Sequence, residues 1–331
     1  MRHAAWIFWI LILALVLVLV MLFSLSVGAV PIPIDRIIAL SFQGGSSTEH
    51  SIIFDIRLPR ILLGLAVGGS LSLAGVILQG MFRNPLVEPY TLGISGGAAL
   101  GVAMVLGLSC ASHLTVPLAG CLGSGVVIAF LYFLSFNKGR VRLQGLLLNG
   151  VMISFISSSM VMLLMSLTNS DNLQAIIFWI MGSLGQTDPV LIKIMLAASV
   201  GLLVVSYFFC LDLNAFALSD DEARLLGIPV ERTKKILFLL AALLTGACVS
   251  VAGIIGFVGL VVPHFVRRLV GFDHRILMIA SFLAGAIFLI ISDTIARIVI
   301  APLELPVGVI TGIVGGSIFI YTLGCQEDSH A

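Results

Sequence analysis

Nine runs of about 20 consecutive apolar residues, bounded by charges and by proline or glycine, recur along this chain. They lie near 6–28, 61–82, 91–109, 114–136, 145–167, 190–211, 235–254, 276–296 and 306–323. Runs of that length span the hydrocarbon of a bilayer, where only a helix or a closed barrel satisfies its own backbone polar groups. Continuous apolar runs without alternation select the helix. The chain reads as an all-α polytopic membrane protein, with residues 1–331 forming one transmembrane domain.

Between the seventh and eighth runs, the segment from Gly256 to Phe265 is apolar but short and interrupted by glycine. Read as a half-length helix buried among its neighbours, it brings the expected crossings to ten. An even number places both termini on one side. Arg2, Arg83, Lys138, Arg140, Arg142, Arg224, Arg232, Lys234, Lys235, Arg267, Arg268 and Arg275 then share a face. Arg36, Arg57, Arg60, Lys193 and Arg297 occupy the other. Twelve against five puts the first face, and both termini, in the cytoplasm. Without the short crossing the bias shrinks to nine against eight, so the charge rule supports ten.

Composition narrows the function. Charged residues make up 10% of the chain, against about 25% in soluble proteins. A net charge of +1 gives no electrostatic case for nucleic acid. The first run follows Arg2 and His3 and exceeds a signal-peptide core, so it is expected to stay in the protein. The five cysteines form no C-x-x-C pair and mostly fall in or beside apolar runs, and the six histidines lack a second ligand at helical spacing. No metal site and no bound cofactor are expected.

No Asp, Glu, Lys or Arg occurs in 61–82, 89–137, 143–170, 194–211, 236–266 or 276–292. Proton- and ion-coupled carriers, and enzymes working inside the bilayer, need ionisable groups at that depth. An ion-coupled secondary transporter built from inverted repeats remains the alternative. Ser72–Ile77 is echoed by Ser250–Ile255, and at the same offset Pro85 matches Pro263 and Gly93 matches Gly271. ATP hydrolysis by the chain itself is excluded by motif: its lysines follow Asn137, Ile192, Thr233 and Lys234, never the glycine of a phosphate-binding loop. The combination points to a pore-forming subunit driven by a separate ATPase.

One charged island, Ser219 to Lys235, interrupts the apolar chain within the cytoplasmic loop 212–235. Ser219 and Glu222 have capping-box spacing, the first turn is acidic, and Gly227 followed by Pro229 supplies a stop. A helix of about two turns is too short to hold alone and needs a surface to pack on. Glycines at 64 and 68, at 93, 97 and 101, and at 308, 312 and 316 recur every four residues, as close helix packing requires.

Several segments in a fixed order carry a resemblance that covers nearly the whole chain. They are RLPR at 57–60, LAGVILQGMFRNPLVEPYTLGISGGAALG at 73–101, EARLLGIP at 222–229, GIIGFVGLVVPHFVRR at 253–268, DHR at 273–275, SDTIAR at 292–297 and ELPVGVITGIVGGSIFI at 304–320. The chain thereby resembles the permeases of ATP-binding-cassette importers for ferric siderophores, haem and cobalamin, with the vitamin B12 permease-like, type II importer fold.

The resemblance implies ten helices and a homodimer in the bacterial inner membrane, with the pathway on the dimer axis. It also implies two ATPase subunits that use ATP and magnesium, and a periplasmic or lipid-anchored binding protein that delivers the chelate. Matching positions make Arg57, Arg60 and Arg297 the docking residues for that protein, since guanidinium forks hold carboxylates in two-pronged fashion. Interfacial anchoring of Arg57 and Arg60, and an i,i+4 pair of Arg297 with Asp293, are the plainer alternatives. Asp220, Asp221, Glu222, Ala223, Leu225, Leu226 and Gly227 become the coupling helix, with Leu218 extending its apolar stripe. Asn84, Pro85 and Leu86 become a turn near the cytoplasmic gate.

Overall fold

The structure, a computed structural model, describes residues 2–43, 47–136 and 143–327. Lys138, Arg140 and Arg142, counted above on the basic face, lie outside the described residues, as do the side chains of Arg2 and Cys325. In chain order the helices are α1 (Arg2–Ser26), α2 (Ile34–Gln43), α3 (Thr48–Ser51), α4 (Leu58–Phe82), α5 (Ile94–Gly107), α6 (Thr115–Phe136), α7 (Leu143–Leu167) and α8 (Ser170–Ile180). They continue as α9 (Pro189–Tyr207), α10 (Cys210–Leu218), α11 (Asp220–Leu225), α12 (Val230–Ala252), α13 (Val258–Val270), α14 (His274–Ile298) and α15 (Val307–Glu327). Among the described residues seven helices are long and apolar enough to cross a membrane, and Ile94–Gly107 and Val307–Tyr321 are shorter apolar helices.

All nine apolar runs are helical, and the boundaries follow local chemistry. Asp188 accepts from the backbone N–H of Val190 at 2.8 Å to start α9, while Asp273 accepts from Arg275 N–H at 3.0 Å to start α14. The short apolar segment is the helix α13, which opens at Phe257 in left-handed backbone (φ +68°) and ends at Gly271 (φ +89°). Pro263 lies inside it, beyond the first turn, where its missing N–H costs one intrahelical bond. Periodicity alone does not show α2, α8 and α10: the first two lie outside the apolar runs that mark the spans, and α10 shares only Cys210 and Leu211 with one. The ladder also starts earlier in α12, at Val230, than the apolar run at 235, because Glu231 through Lys235 are helical without being hydrophobic.

The suspected repeat does not extend to local structure. Ser72–Ile77 lies inside the unbroken α4, whereas Ser250–Ile255 straddles the end of α12, where Gly253 (φ +70°) turns the chain. The sequence echo maps a helix interior onto a helix end, so it lends no structural weight to the secondary-transporter alternative.

Helix α4 is the centre of the bundle: 89% of its apolar window is buried, against 67% for α12 and α14, 17% for α7 and 11% for α1. Its neighbours approach to backbone contact. An added Cβ on Gly68 would stand 2.3 Å from the Gly285 carbonyl of α14, and Gly285 meets the Gly68 carbonyl reciprocally at 2.3 Å. Gly97 of α5 and Gly123 of α6 form a second such crossing. By contrast Gly312 has no atom within 4 Å of where a Cβ would sit, so the four-residue spacing marks close packing in α4 and α5 but not throughout α15.

Candidate functional site

At one end of the bundle the structure gathers all three arginines singled out from sequence, Arg57, Arg60 and Arg297, which are only 4%, 7% and 6% exposed. Arg60 donates through Nε to Asp293 Oδ1 at 3.0 Å and through Nη1 to Glu304 Oε2 at 2.7 Å. Arg297 takes the other oxygen of Asp293, Oδ2, at 3.1 Å, and its Nη2 donates to Ser24 Oγ at 2.8 Å. The i,i+4 pair of Arg297 with Asp293 is therefore present, and the same carboxylate also holds Arg60. Arg57 differs. Its hydrogen-bond acceptors are backbone carbonyls, Leu25 at 2.6 Å together with Ser26 and Val30, so it latches the end of α1 without neutralising its charge.

Arg57, Arg297 and Glu304 line an open pocket of 170 Å³ beside Gly28 and Pro302. That pocket is a positively biased socket with an apolar rim of Val30 and Ile56, which are 50% and 48% exposed. Sequence reasoning had placed the arginines there without their burial. Glu304 and Ser24, which complete the network, carried no signal because their partners are remote in the chain.

The charged island folds as expected from its cap. Ser219 Oγ accepts from the Glu222 N–H at 3.0 Å, and α11 runs from Asp220 to Leu225 with Leu226 closing it. Gly227 (φ +85°) then lets its own N–H reach Arg224 O and the Ile228 N–H reach Ala223 O, each at 3.0 Å. Ala223 is fully buried against the body, while Leu218, Leu225 and Leu226 are 65%, 88% and 67% exposed. Asp221 and Glu231 both accept from Arg224, at 2.8 and 3.3 Å. Leu225 and Leu226 thus stand exposed at the end of α11, fringed by charge, while Leu218 belongs to α10 and the extended Ser219 keeps it off the helical stripe its seven-residue spacing suggests.

The Asn84-Pro85-Leu86 turn follows Arg83, which ends α4 in left-handed backbone (φ +52°). Asn84 Oδ1 accepts from the Leu86 N–H at 2.9 Å, the backbone capping its residue type suggests. Beyond the turn the chain dives back into the bundle, where Tyr90 Oη accepts from the Ile255 N–H at 3.0 Å. Burial raises the Glu88 carboxyl above its ordinary value, and the nearby Phe257 backbone N–H partly offsets this. Gln79 Nε2 donates to the Gly259 carbonyl at 3.1 Å, so α4 and the turn after it together hold the broken connection between α12 and α13. Pro85 and Leu86 also border a 270 Å³ cavity with His264, Arg267, Arg268, Phe272 and Phe319.

Known proteins match this chain over most of its length. Residues 15–324 match the FecCD transport family. The Hemin transport system permease protein HmuU of Yersinia pestis is 37% identical, the match covering 89% of this chain and 91% of that protein. The Cobalamin import system permease protein BtuC of Halobacterium salinarum is 36% identical over 86% of this chain and 76% of its own length. Among solved structures, an inward-facing conformation of a metal-chelate type ABC transporter superposes with a TM-score of 0.84 at 29% identity, covering 96% of this chain and 99% of that one.

Proposed function

The chain belongs to the FecCD transport family and is the membrane permease of an ABC transporter, and from that premise we propose that it imports a metal chelate on ATP hydrolysed by separate subunits. The cargo is an iron chelate of the ferric-siderophore type, haem or cobalamin, the last two being the substrates in the names of its relatives. Seven long spans, two shorter apolar helices and the broken α13 together supply ten crossings, with both termini in the cytoplasm of a bacterial inner membrane. Two copies enclose the pathway. The exposed apolar face of α7, including Met152, Phe155, Ile156 and Met160, is available for lipid or for that second copy.

The observation that carries the division of labour is α11. A six-residue helix that ends on two exposed leucines, Leu225 and Leu226, has no use for them inside this chain, and a groove on an ATPase would bury them. Asp220, Asp221, Glu222, Ala223, Leu225, Leu226 and Gly227 form that coupling element, and Asn84, Pro85 and Leu86 the turn at the inner gate. At the other end a periplasmic or lipid-anchored binding protein docks over Arg57, Arg60 and Arg297. Arg57 is best placed to receive an incoming carboxylate, because its charge has no carboxylate partner among the described residues and it opens onto the socket.

The deciding experiment reconstitutes the chain with its ATPase and binding protein in liposomes. Chelate uptake is expected only with ATP and magnesium supplied to the ATPase side. Uptake driven by an ion gradient through this chain alone would overturn the reading.

A further inference from the structure

Two ionised side chains tie the docking helix to the rest of the molecule: Arg224, which reaches Glu231 of α12 at 3.3 Å, and Asp220, which reaches two elements at once. Asp220, its first residue, places Oδ2 2.5 Å from Lys234 Nζ at the base of α12. Lys234 is 2% exposed, and its ammonium lies 5.6 Å from the centroid of the Phe216 ring in α10. A buried ammonium requires its counter-charge, so this bond fixes the carboxylate to α12. The other oxygen, Oδ1, stands 3.9 Å from Arg83 Nη2, a looser pair with the arginine side chain 45% exposed. Arg83 closes α4 in left-handed backbone and is joined directly to the Asn84-Pro85-Leu86 turn.

One carboxylate therefore meets three elements: the stub that faces outwards, the span α12, and the turn that ends α4. Its two contacts differ in kind. The Lys234 side is short and buried, a fixed pivot; the Arg83 side is long and hydrated, able to tighten or release with small movements of α11. Helix α11 cannot set its own orientation, since six residues do not sustain a helix without packing.

We propose that Asp220 is a positioning residue that joins the docking stub to the gate turn, so that a shift of α11 under the ATPase changes the Asp220–Arg83 pair and moves residues 84–86. The proposal rests on the permease reading and deepens it. It does not place Asp220 in contact with ATPase or chelate.

The test separates docking from transmission. Asp220→Asn strands the Lys234 ammonium, so the working variant is Asp220→Asn with Lys234→Met, which removes both charges and keeps an apolar stem over Phe216. Arg83→Gln is the companion that leaves α11 untouched. Each is purified with the cognate ATPase and binding protein and read in three ways: ATPase affinity, hydrolysis stimulated by loaded binding protein, and maleimide labelling of a cysteine placed at Leu86.

For Arg83→Gln, ATPase affinity should stay within about threefold of the parent, as expected when a partly exposed pair reaching outside the coupling element is lost. Stimulated hydrolysis should fall about tenfold, the scale of a coupling contact. ATP should no longer alter labelling at position 86, and Asp220→Glu should restore both. Parent-like stimulation and labelling in the variants would overturn the joint, and so would a tenfold loss of ATPase affinity in Arg83→Gln, which would reduce Asp220 to a shaper of the docking face. A parent chain that binds no ATPase would instead overturn the permease reading, and the joint with it.

Discussion

Arg60 and Asp293 stand 233 residues apart in the chain, yet their side chains meet at 3.0 Å with 8% and 3% of their surfaces exposed. The same carboxylate binds Arg297 at 3.1 Å, so one negative charge lies between two buried guanidiniums. Removing it leaves Arg297 with no carboxylate partner among the described residues and Arg60 with only the half-exposed Glu304. Asp293→Ala should cost roughly 3–5 kcal/mol of stability, the scale for breaking a buried ion pair from one side. Glu304, by contrast, is 53% exposed, and Glu304→Gln should cost about 1 kcal/mol or less. Thermal unfolding in detergent ranks the two, and equal losses would contradict the network.

That burial changes how docking is to be probed. Reversing charge at Arg60 or Arg297 reads fold stability before it reads capture. Arg57 is the informative position, because its hydrogen bonds end on backbone carbonyls and replacing it strands no carboxylate. Arg57→Gln should weaken capture of the loaded binding protein about tenfold, the worth of one charge-assisted bond, with a smaller fall in melting temperature than Asp293→Ala. The deficit should narrow as salt is raised, since the lost term is electrostatic. Capture by immobilised permease at two ionic strengths checks this.

What could be read from residues alone divides along a physical line. Spans, the Ser219 cap and the Gly227 stop are decided within one or two helical turns, by hydrophobic period and by local hydrogen bonds, and each is found in the structure. The partners of Asp293 and of Lys234 are decided by tertiary packing. Lys234 looked like one more basic residue beside Lys235, yet it is 2% exposed because α10 and α11 close over it. The break at Gly253 to Phe257 is visible as glycine in an apolar run, but Tyr90, which holds it at Ile255, and Gln79, which holds the first turn of α13 after it, come from a segment more than a hundred residues away.

The glycine crossings supply a matched pair of substitutions. A methyl group on Gly68 would press on the Gly285 carbonyl, a backbone atom that cannot rotate away. At Gly312 the same methyl meets nothing. Gly68→Ala should destabilise by about 1–3 kcal/mol as an overpacked contact, while Gly312→Ala should be neutral or slightly stabilising through helix propensity. Comparable melting temperatures for the two would show that α4 and α14 are not packed backbone to backbone.

Glu88 predicts a pH dependence whose sign follows from its environment. Its carboxyl is raised above 4.5 mainly by burial, so the folded protein holds the proton more tightly than the unfolded chain does. Stability from this group is greatest below the unfolded value and declines as pH rises from there through the raised folded value. Glu88→Gln keeps the size and polarity of the side chain but cannot ionise. Its melting temperature should fall less than that of the parent chain over the same upward pH range. Identical pH profiles for the two proteins would remove Glu88 from the account.

The exposed leucines of the stub provide the sharpest separation between fold and function. Leu225 is 88% exposed and Leu226 67%, so neither contributes much burial to the chain itself, and Leu225→Asp combined with Leu226→Asp should leave its melting temperature nearly unchanged. The Ser219 cap, the buried Ala223 and the Gly227 turn all remain, so α11 should persist. If the apolar face is what an ATPase groove buries, two carboxylates there must be desolvated on docking. Association should then fall by at least about a hundredfold, the effect of losing two anchor residues at roughly 1.4 kcal/mol each. Titration of the ATPase onto reconstituted permease measures it directly. Undiminished association would mean that the stub's leucines face water or lipid, and that the motor grips this chain elsewhere.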